Sequence, residues 1–511
     1  MSRPPAWVVA AALAALYLLV DPPSADLAAQ TYRVDLFRDH GAALWDNGWY
    51  SGHHLPAYSI LFPPLAALLG QHIVGALSAV AAAWCFERLL QGRFPERQAR
   101  VASLWFAAAT VTTLISGRLT FALGLALAVG AAWALAEGRP RVAALLGASS
   151  GLGSPVAAAF LVLGLAAWWW VRRDRSAWWI AAASLVPFGL VSLAFPEGGT
   201  FPFTGAAFWP SLAASLLVLA AARGAHPVLG AGIVLYVALL VASFALPTPM
   251  GGNAVRLGAL VAGPVTVLVA TGPRRRWLLL LVPALVYWQW TTPIDDWRRA
   301  AADPSVRAGY YRGLLAVLER QPGPFRLEIP FTDNHWESAR VAPHVPLARG
   351  WERQLDRKVN ALFYDGRPLT PARYHAWLRD HGVRFVALPD APLDYSAAAE
   401  ADLVRAGQPF LREVWRDAHW RLLRVTDDPG LADGGRVTAV GVDHFIVTGR
   451  PGRAVRVRVR WTPYWALVAG RGCVARGPRD STIVTLRAGT TARVQARFAV
   501  GRLWGRGPRC R

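Results

Sequence analysis

Residues 21–56, with Tyr58 just beyond, collect groups that can do chemistry. Asp26, Asp35, Asp39 and Asp46 are carboxylates, His53 and His54 are adjacent imidazoles, and Trp45, Trp49, Tyr50 and Tyr58 are aromatic. A carboxylate so placed can take the proton of a reacting hydroxyl or ligate a divalent cation, the one cofactor these residues suggest. The aromatic rings can stack on a sugar face or sit in the headgroup belt of a membrane. The same residues also suit an ordered amphipathic loop with solvated charges.

The elements around this stretch are apolar. Hydrophobic residues make up 54% of the chain and charged residues 17%, against ~25% charged in an average protein. Runs such as Trp7–Val20, Leu123–Ala136 and Val156–Val171 approach the ~20 residues that cross a bilayer as a helix. Helices are expected near 6–20, 57–90, 99–115, 119–136, 142–153, 155–171, 177–194, 206–222, 227–246, 254–271 and 276–291. The chain is thus a polytopic α-helical membrane protein with about eleven spans. The stretch 57–90 is too long for one span and should open with a short interfacial piece near Ile60–Leu69. The stretch 142–153 is too short, and Gly151-Leu152-Gly153-Ser154-Pro155 breaks the run. Trp7–Val20 lacks a convincing cleavage site and reads as a retained first helix.

Arginines mark alternate connections: Arg88 to Arg100, Arg139/Arg141, Arg172/Arg173/Arg175, Arg223 and Arg274/Arg275/Arg276. Short basic loops are cytoplasmic by the positive-inside rule. The N-terminus is then expected in the cytoplasm. Loop 21–56 and everything after residue 291 are expected outside. The transmembrane domain spans 1–291. Residues 292–435 alternate helix and strand patterns, as a small extracytoplasmic α/β domain would. In 436–511, Val455, Val457 and Val459 alternate with Arg456, Arg458 and Arg460, the period of a half-buried strand. Gly/Pro turns there suggest a β-sandwich.

Net charge is +22, and Lys358 is the only lysine. Residues 436–511 carry 16 Arg against Asp443 and Asp480, a local net of 16 − 2 = +14. No nucleic acid is expected outside a cell, so the basic face suits anionic lipid, wall polymer or simple solvation. Cys85 falls in an apolar run. Cys473 and Cys510 share the tail and, if oxidised, would staple it as a disulfide.

Several local motifs carry a resemblance. They are Asp26-Leu27-Ala28, Trp45–His54 with Leu55-Pro56-Ala57-Tyr58-Ser59, Ser116-Gly117-Arg118, Gly252-Asn253-Ala254-Val255-Arg256-Leu257, His335-Trp336-Glu337 and Ala348–Asp356. The layout resembles the GT-C superfamily of membrane glycosyltransferases. More closely, it is similar to actinobacterial integral membrane proteins labelled 6-pyruvoyl-tetrahydropterin-synthase-related. No pterin-synthase zinc-histidine pattern accompanies that label. The resemblance implies a polyprenyl-phosphate sugar donor, a cell-envelope glycan acceptor and a first-loop carboxylate as base or metal ligand. Asp26 is the first choice for that role and Asp46 the second. Arg118 and Arg256, lone charges at expected outside helix ends, could fork onto the lipid phosphate or snorkel to headgroups. His53 and His54 could bind phosphate or metal, and Tyr58 and Asn253 fall in the same motifs. His335, Trp336 and Glu337, with Arg349, Trp351 and Arg353, suit either sugar binding or an ion-pair network that docks the soluble domain on the helices. A transporter or flippase of an envelope precursor and a non-catalytic envelope scaffold are the alternative functions.

Overall fold

The computed structural model describes residues 4–222, 226–269 and 275–503, with the side chains of 275–280 outside that description. The chain forms a helical N-terminal region and a sheet-rich C-terminal region. Contacts divide it into two compact units, one of residues 1–30, 57–193 and 198–301, the other of 31–56, 194–197 and 302–511.

The helical unit holds α1 (Ala6–Val20) and the start of α2 (Ala25–His40), which runs on into the second unit. A two-residue hairpin, β1 (Trp45–Asp46) and β2 (His53–His54), follows α2 and belongs to the second unit. The helical unit continues with α3 (Phe62–Leu69), α4 (Gln71–Leu90), α5 (Glu96–Ile115), α6 (Leu119–Ala136), α7 (Pro140–Gly153), α8 (Pro155–Arg172), α9 (Ser176–Ala194), α10 (Gly205–Ala221), α11 (Pro227–Ala245), α12 (Val255–Val269) and α13 (Arg275–Ala302). Punctuation follows backbone chemistry. Pro140, Pro155 and Pro227 open helices at N1, where a missing N–H costs nothing. Gly70 at φ +90° separates α3 from α4, so the expected interfacial piece is a helix of its own.

Among the described residues, six helices are long and apolar enough to cross a membrane: Gln71–Leu90, Leu119–Ala136, Pro155–Arg172, Ser176–Ala194, Pro227–Ala245 and Gly251–Val269. α1 passes only when joined to α2, from which it is bent by 81°. Two further expected spans are short, α7 with 14 residues and α10 with 17. Large apolar side chains on the outer faces stay exposed, Leu193 and Leu68 at 80% and Leu190 at 62%, as a lipid-facing surface requires.

α7 and α8 form a hairpin about Ser154. A Cβ on Gly147 would meet Leu161 and one on Gly151 would approach Ala158, pairs disposed about the break. The carbonyl freed at the break is not left bare, since the Ile60 and Leu61 N–H groups donate to Leu152 O at 3.0 and 3.3 Å. Ser150 Oγ donates to Gly124 O at 2.9 Å.

The expected boundary at 291/292 falls inside α13, which is continuous to Ala302. The expected loop 21–56 is also corrected, since most of it is α2 and the hairpin, and 31–56 belong to the C-terminal unit. Trp45 explains this. It is fully buried in one core with Phe445, Val457 and Trp465.

The C-terminal unit continues with α14 (Arg312–Leu318), β3 (Arg326–Glu328), α15 (Glu337–Arg340), α16 (Arg353–Val359), α17 (Pro371–His381), β4 (Val383–Pro389), α18 (Ala398–Arg405), β5 (Leu411–Arg416) and β6 (Trp420–Val425). Its strands run in the order β3-β4-β6-β5, with only β3 and β4 parallel. Then come β7 (Ala432–Asp433), β8 (Gly435–Val440), β9 (His444–Gly449), β10 (Ala454–Arg460), β11 (Trp465–Arg476) and β12 (Ser481–Ala496). These make one six-stranded antiparallel sheet rather than the two sheets of a sandwich. The long β12 pairs with β10 through its first half, with β9 through its second and with β11 along its length. Cys473 is buried in β11, and Cys510 lies outside the described residues.

A Cβ at Gly124 would sit 2.6 Å from Ser154 Cβ and 2.9 Å from Ala157 Cβ, whereas Gly189 faces open space. Gly124→Val is expected to destabilise the detergent-solubilised protein by about 1–3 kcal/mol and Gly189→Ala to be near neutral. Thermal unfolding of both variants checks this, and equal midpoints would contradict the close approach.

Candidate functional site

The helical unit gathers five polar side chains at one end. Asp26 is the second residue of α2, Arg118 immediately precedes α6, Arg256 is the second residue of α12, Tyr58 lies just before α3, and Asp296 lies late in α13. Arg118 Nε reaches Asp26 Oδ2 at 3.2 Å. Arg256 stands over the Phe121 ring at 5.5 Å, within Coulombic reach of Arg118, Asp26 and Tyr58. Tyr58 OH is 3.4 Å from Thr120 Oγ1. Asp296 accepts from Arg299 at 2.5 Å and feels both Arg118 and Asp26. Burial raises its carboxyl above the usual range, against the pull of Arg118 and Arg299.

Local backbone holds these groups in place. Gly117 has φ +67°, and a Cβ there would lie 2.6 Å from Leu27 N. The turn before α6 therefore lies directly against the start of α2, which brings Arg118 to Asp26. A 3₁₀ turn, Gly251–Ala254, sets the start of α12 and buries Asn253. The N-termini of α2, α6 and α12 thus lie at the cluster, and their partial positive charge adds to that of the arginines. The arrangement attracts an anion and keeps one carboxylate beside it.

The connections at the opposite end differ. There the Ala6 N–H donates to Glu87, Arg93 pairs with Glu137, and Phe94 packs on His226. The arginines of Arg88–Arg100 and Arg139/Arg141 flank these connections.

The remaining expected site residues lie in the C-terminal unit. Asp46 is fully buried, accepts from Tyr32 OH at 2.9 Å and Gly48 N at 2.7 Å, and stands 3.6 Å from His53 Nδ1. Burial lifts the Asp46 carboxyl to about 6 and pushes the His53 imidazole down to about 3. His54 is not at a surface either. It pairs with Glu197 at 2.8 Å, and Arg460 closes on the same carboxylate at 2.9 Å. Burial would raise Glu197, but the His54 hydrogen bond and the Arg460 charge outweigh it and hold the group near 2. These are buried contacts inside the C-terminal unit.

His335, Trp336, Glu337, Arg349, Trp351 and Arg353 converge, but on one another and their own unit. Arg349 pairs with Asp356 at 2.7 Å and Glu400 at 3.4 Å, with 1% of its side chain exposed. Arg353 pairs with Asp394 at 2.6 Å. His335 stacks on Trp351 at 3.6 Å and stands 3.7 Å from Glu337 and 3.4 Å from Asp394. Burial would lower the His335 imidazole, yet its hydrogen bonds to Asp394 and Glu337 raise it. Trp336 is covered by Arg340 at 4.9 Å. Arg349, Arg353 and His335 form a buried ion-pair and ring network with Asp356, Asp394 and Glu400 within the C-terminal unit.

Among the described residues no group of three or more His, Cys, Asp or Glu is arranged to hold a metal ion. The chain matches no protein-family model and no curated protein.

Sequence reasoning missed Asp296, Glu197, Asp394 and Glu400. Only Asp296 left a signal, an acid pair, Asp295-Asp296, directly after an apolar helix, where charge is rare unless used.

The two arginine environments give opposite expectations. Arg349→Met strands two buried carboxylates and should cost about 3–5 kcal/mol. Arg118→Gln, in a pair about one-third exposed, should cost under about 1 kcal/mol. Denaturant unfolding separates them, and equal costs would overturn the assignment.

A second expectation concerns pH. Asp46 titrates near 6 in the fold against an ordinary value of 3.8. Its ionisation therefore costs no stability below 3.8 and the full amount above about 6. The stability of wild type relative to Asp46→Asn should fall by roughly 2 kcal/mol between pH 4 and pH 7. Hydrogen exchange of the β9 and β12 amides reads this, and a pH-independent gap would refute it.

Proposed function

We propose that this chain transfers a sugar from a polyprenyl-phosphate-linked donor to a cell-envelope acceptor on the extracytoplasmic side of the membrane. The observation that carries the reading is the convergence of Asp26, Arg118 and Arg256 at the N-termini of three helices in an apolar bundle. The arginine-rich connections at the other end of the bundle would be cytoplasmic under the positive-inside rule. The Asp26 cluster and residues beyond α13 would then face outward. The resemblance to GT-C glycosyltransferases points to the same class of donor.

In this reading the acceptor hydroxyl attacks the anomeric carbon of the donor. Asp26 takes the hydroxyl proton as the new C–O bond forms. The C–O bond to the lipid phosphate breaks, and the bonding pair leaves with the phosphate. Arg118 and Arg256 hold the negative charge that develops there, as fixed cations aimed at a leaving phosphate do. The ion pair with Arg118 also orients the Asp26 carboxylate.

Replacing Asp26 by Asn removes the base and leaves the shape. Transfer should fall at least about a hundredfold, with membrane abundance and unfolding midpoint unchanged. Profiling of envelope glycans in cells carrying Asp26→Asn tests this. An unchanged glycan pattern with a stably inserted variant would sink the catalytic role.

A further inference from the structure

We infer that a bend in the C-terminal antiparallel sheet is a binding surface for an anionic polymer with phosphate in its backbone. Three neighbouring stretches of chain turn together at this bend. β12 pairs with β10 up to Thr485↔Ala454 and with β9 from Thr491↔Thr448, so its residues 486–490 run beside the β9–β10 junction. The Gly452 N–H donates to Leu486 O at 2.7 Å and ties that junction to β12. On the other edge of β12, Arg471 stands opposite Ala488 and Gly472 opposite Leu486. Glycine permits the bend in β11, where Gly470 has φ +90° and a Cβ would lie 2.6 Å from Thr491 O.

Arginine stands at the bend in each of these stretches. Arg450 and Arg453 flank the β9–β10 turn, Arg487 lies in β12 and Arg471 in β11, while Arg436 of β8 is paired with Thr448. All five are exposed. Paired strands lie about 4.8 Å apart, so five like charges crowd one corner of the sheet and repel. Among the described residues none of the five has a carboxylate partner. The two acids between 434 and 503 are committed at other turns. Asp443 faces His444 at 3.2 Å and Gln495 at 2.9 Å, and Asp480 faces Arg476 at 2.8 Å. Elsewhere in the sheet arginines are matched, Arg458 with Asp433 and Arg460 with Glu197, each at 2.9 Å. The unmatched charge is thus local to the bend, where it raises a positive potential for an external anion.

The neighbours of these arginines select among anions. Pro451, Ala454, Ala469, Ala488, Thr490 and Thr491 are exposed around them. The large exposed apolar side chains of the C-terminal unit, Tyr395, Val414, Phe498 and Val500, lie elsewhere in the sequence. A bilayer surface is gripped by inserting such side chains, and sugar or base faces are gripped by aromatic rings. The bend offers neither. It offers guanidinium forks, which match the paired oxygens of a phosphodiester. A chain of closely spaced phosphates can engage several forks at once. This inference stands apart from the transferase reading, since it uses no residue of the Asp26 cluster.

The test uses full-length protein in phosphatidylcholine nanodiscs with linear inorganic polyphosphate as the probe. Binding should weaken roughly a hundredfold between about 50 and 200 mM salt, as release of counterions from about five contacts requires. The triple variant Arg450→Gln/Arg453→Gln/Arg487→Gln should bind at least about tenfold more weakly, with a salt slope smaller by about 2. Its unfolding midpoint should be unchanged or higher, because repulsion is relieved. The charge-matched triple Arg405→Gln/Arg412→Gln/Arg476→Gln, away from the bend, should bind as wild type does. Equal loss in the two triples would overturn the inference, because net charge rather than a site would then explain binding. So would polygalacturonate binding as tightly as polyphosphate. Phosphatidylglycerol vesicles that bind through the same three arginines and resist displacement by polyphosphate would make the surface a membrane contact and overturn it as well.

Discussion

A backbone in an apolar medium must satisfy every N–H and C=O internally, because no water is there to do it. The helical unit follows that constraint closely. Chain breaks fall where a neighbour can cover them. At Ser154 the Leu152 carbonyl is taken by Ile60 and Leu61 N–H groups. At the start of α12 the freed groups close a 3₁₀ turn through Met250 O and Asn253 N–H. The turn before α6 closes back on α5, through Gly117 N–H to Leu114 O and Arg118 N–H to Thr113 O. Asp26, Tyr58, Arg118 and Arg256 all stand one to three residues from a break.

The C-terminal unit solves a different problem, that of keeping ions inside a protein core. Arg349, Arg353, Glu328, Asp356, Asp394 and Glu400 are all buried. Each guanidinium there has a carboxylate at 2.6 or 2.7 Å. Burial drives Glu328 well above the usual carboxylate range and Glu400 to about 7. Burial thus favours the protonated, neutral form of these acids, which lowers the charge the core must carry. A dense run of Arg, acid and Trp in a sequence therefore has two readings, a recognition surface or a paired interior. Exposure decides between them, and here the side chains are inside.

Much of the fold was legible. The helix Pro371–His381 and the strand Trp420–Val425 fit the alternating helix and strand patterns expected of residues 292–435, and the valine–arginine alternation of β10 points as expected at Val455, Val457 and Val459. Arg458 departs from the pattern. It is buried on the alternation's polar side because Asp433 accepts two hydrogen bonds from it at 2.9 Å. Strand β5 was not foreseen, since Arg412, Glu413 and Arg416 leave it exposed on most positions. The stretch 21–56 was misread as a loop because its polarity masks a regular helix, and its own Trp45, buried among residues about 400 positions later, reveals where it packs.

By itself the sequence determined the apolar helices, the places where proline and glycine interrupt them, the alternating arginine-rich connections and the strand periodicity of the basic tail. These are local properties, set by side-chain polarity and backbone freedom within a few residues. Tertiary structure alone decided which of the polar residues meet. Asp26 and Asp46 are carboxylates of one segment, expected as first and second choice for one role. Long-range packing gives Asp26 an arginine and partial exposure, and gives Asp46 a dry interior with a tyrosine and a histidine. It also supplied Asp296, 270 residues along the chain from Asp26, to the same cluster. Electrostatic environment depends on distance in space, which one-dimensional spacing does not encode.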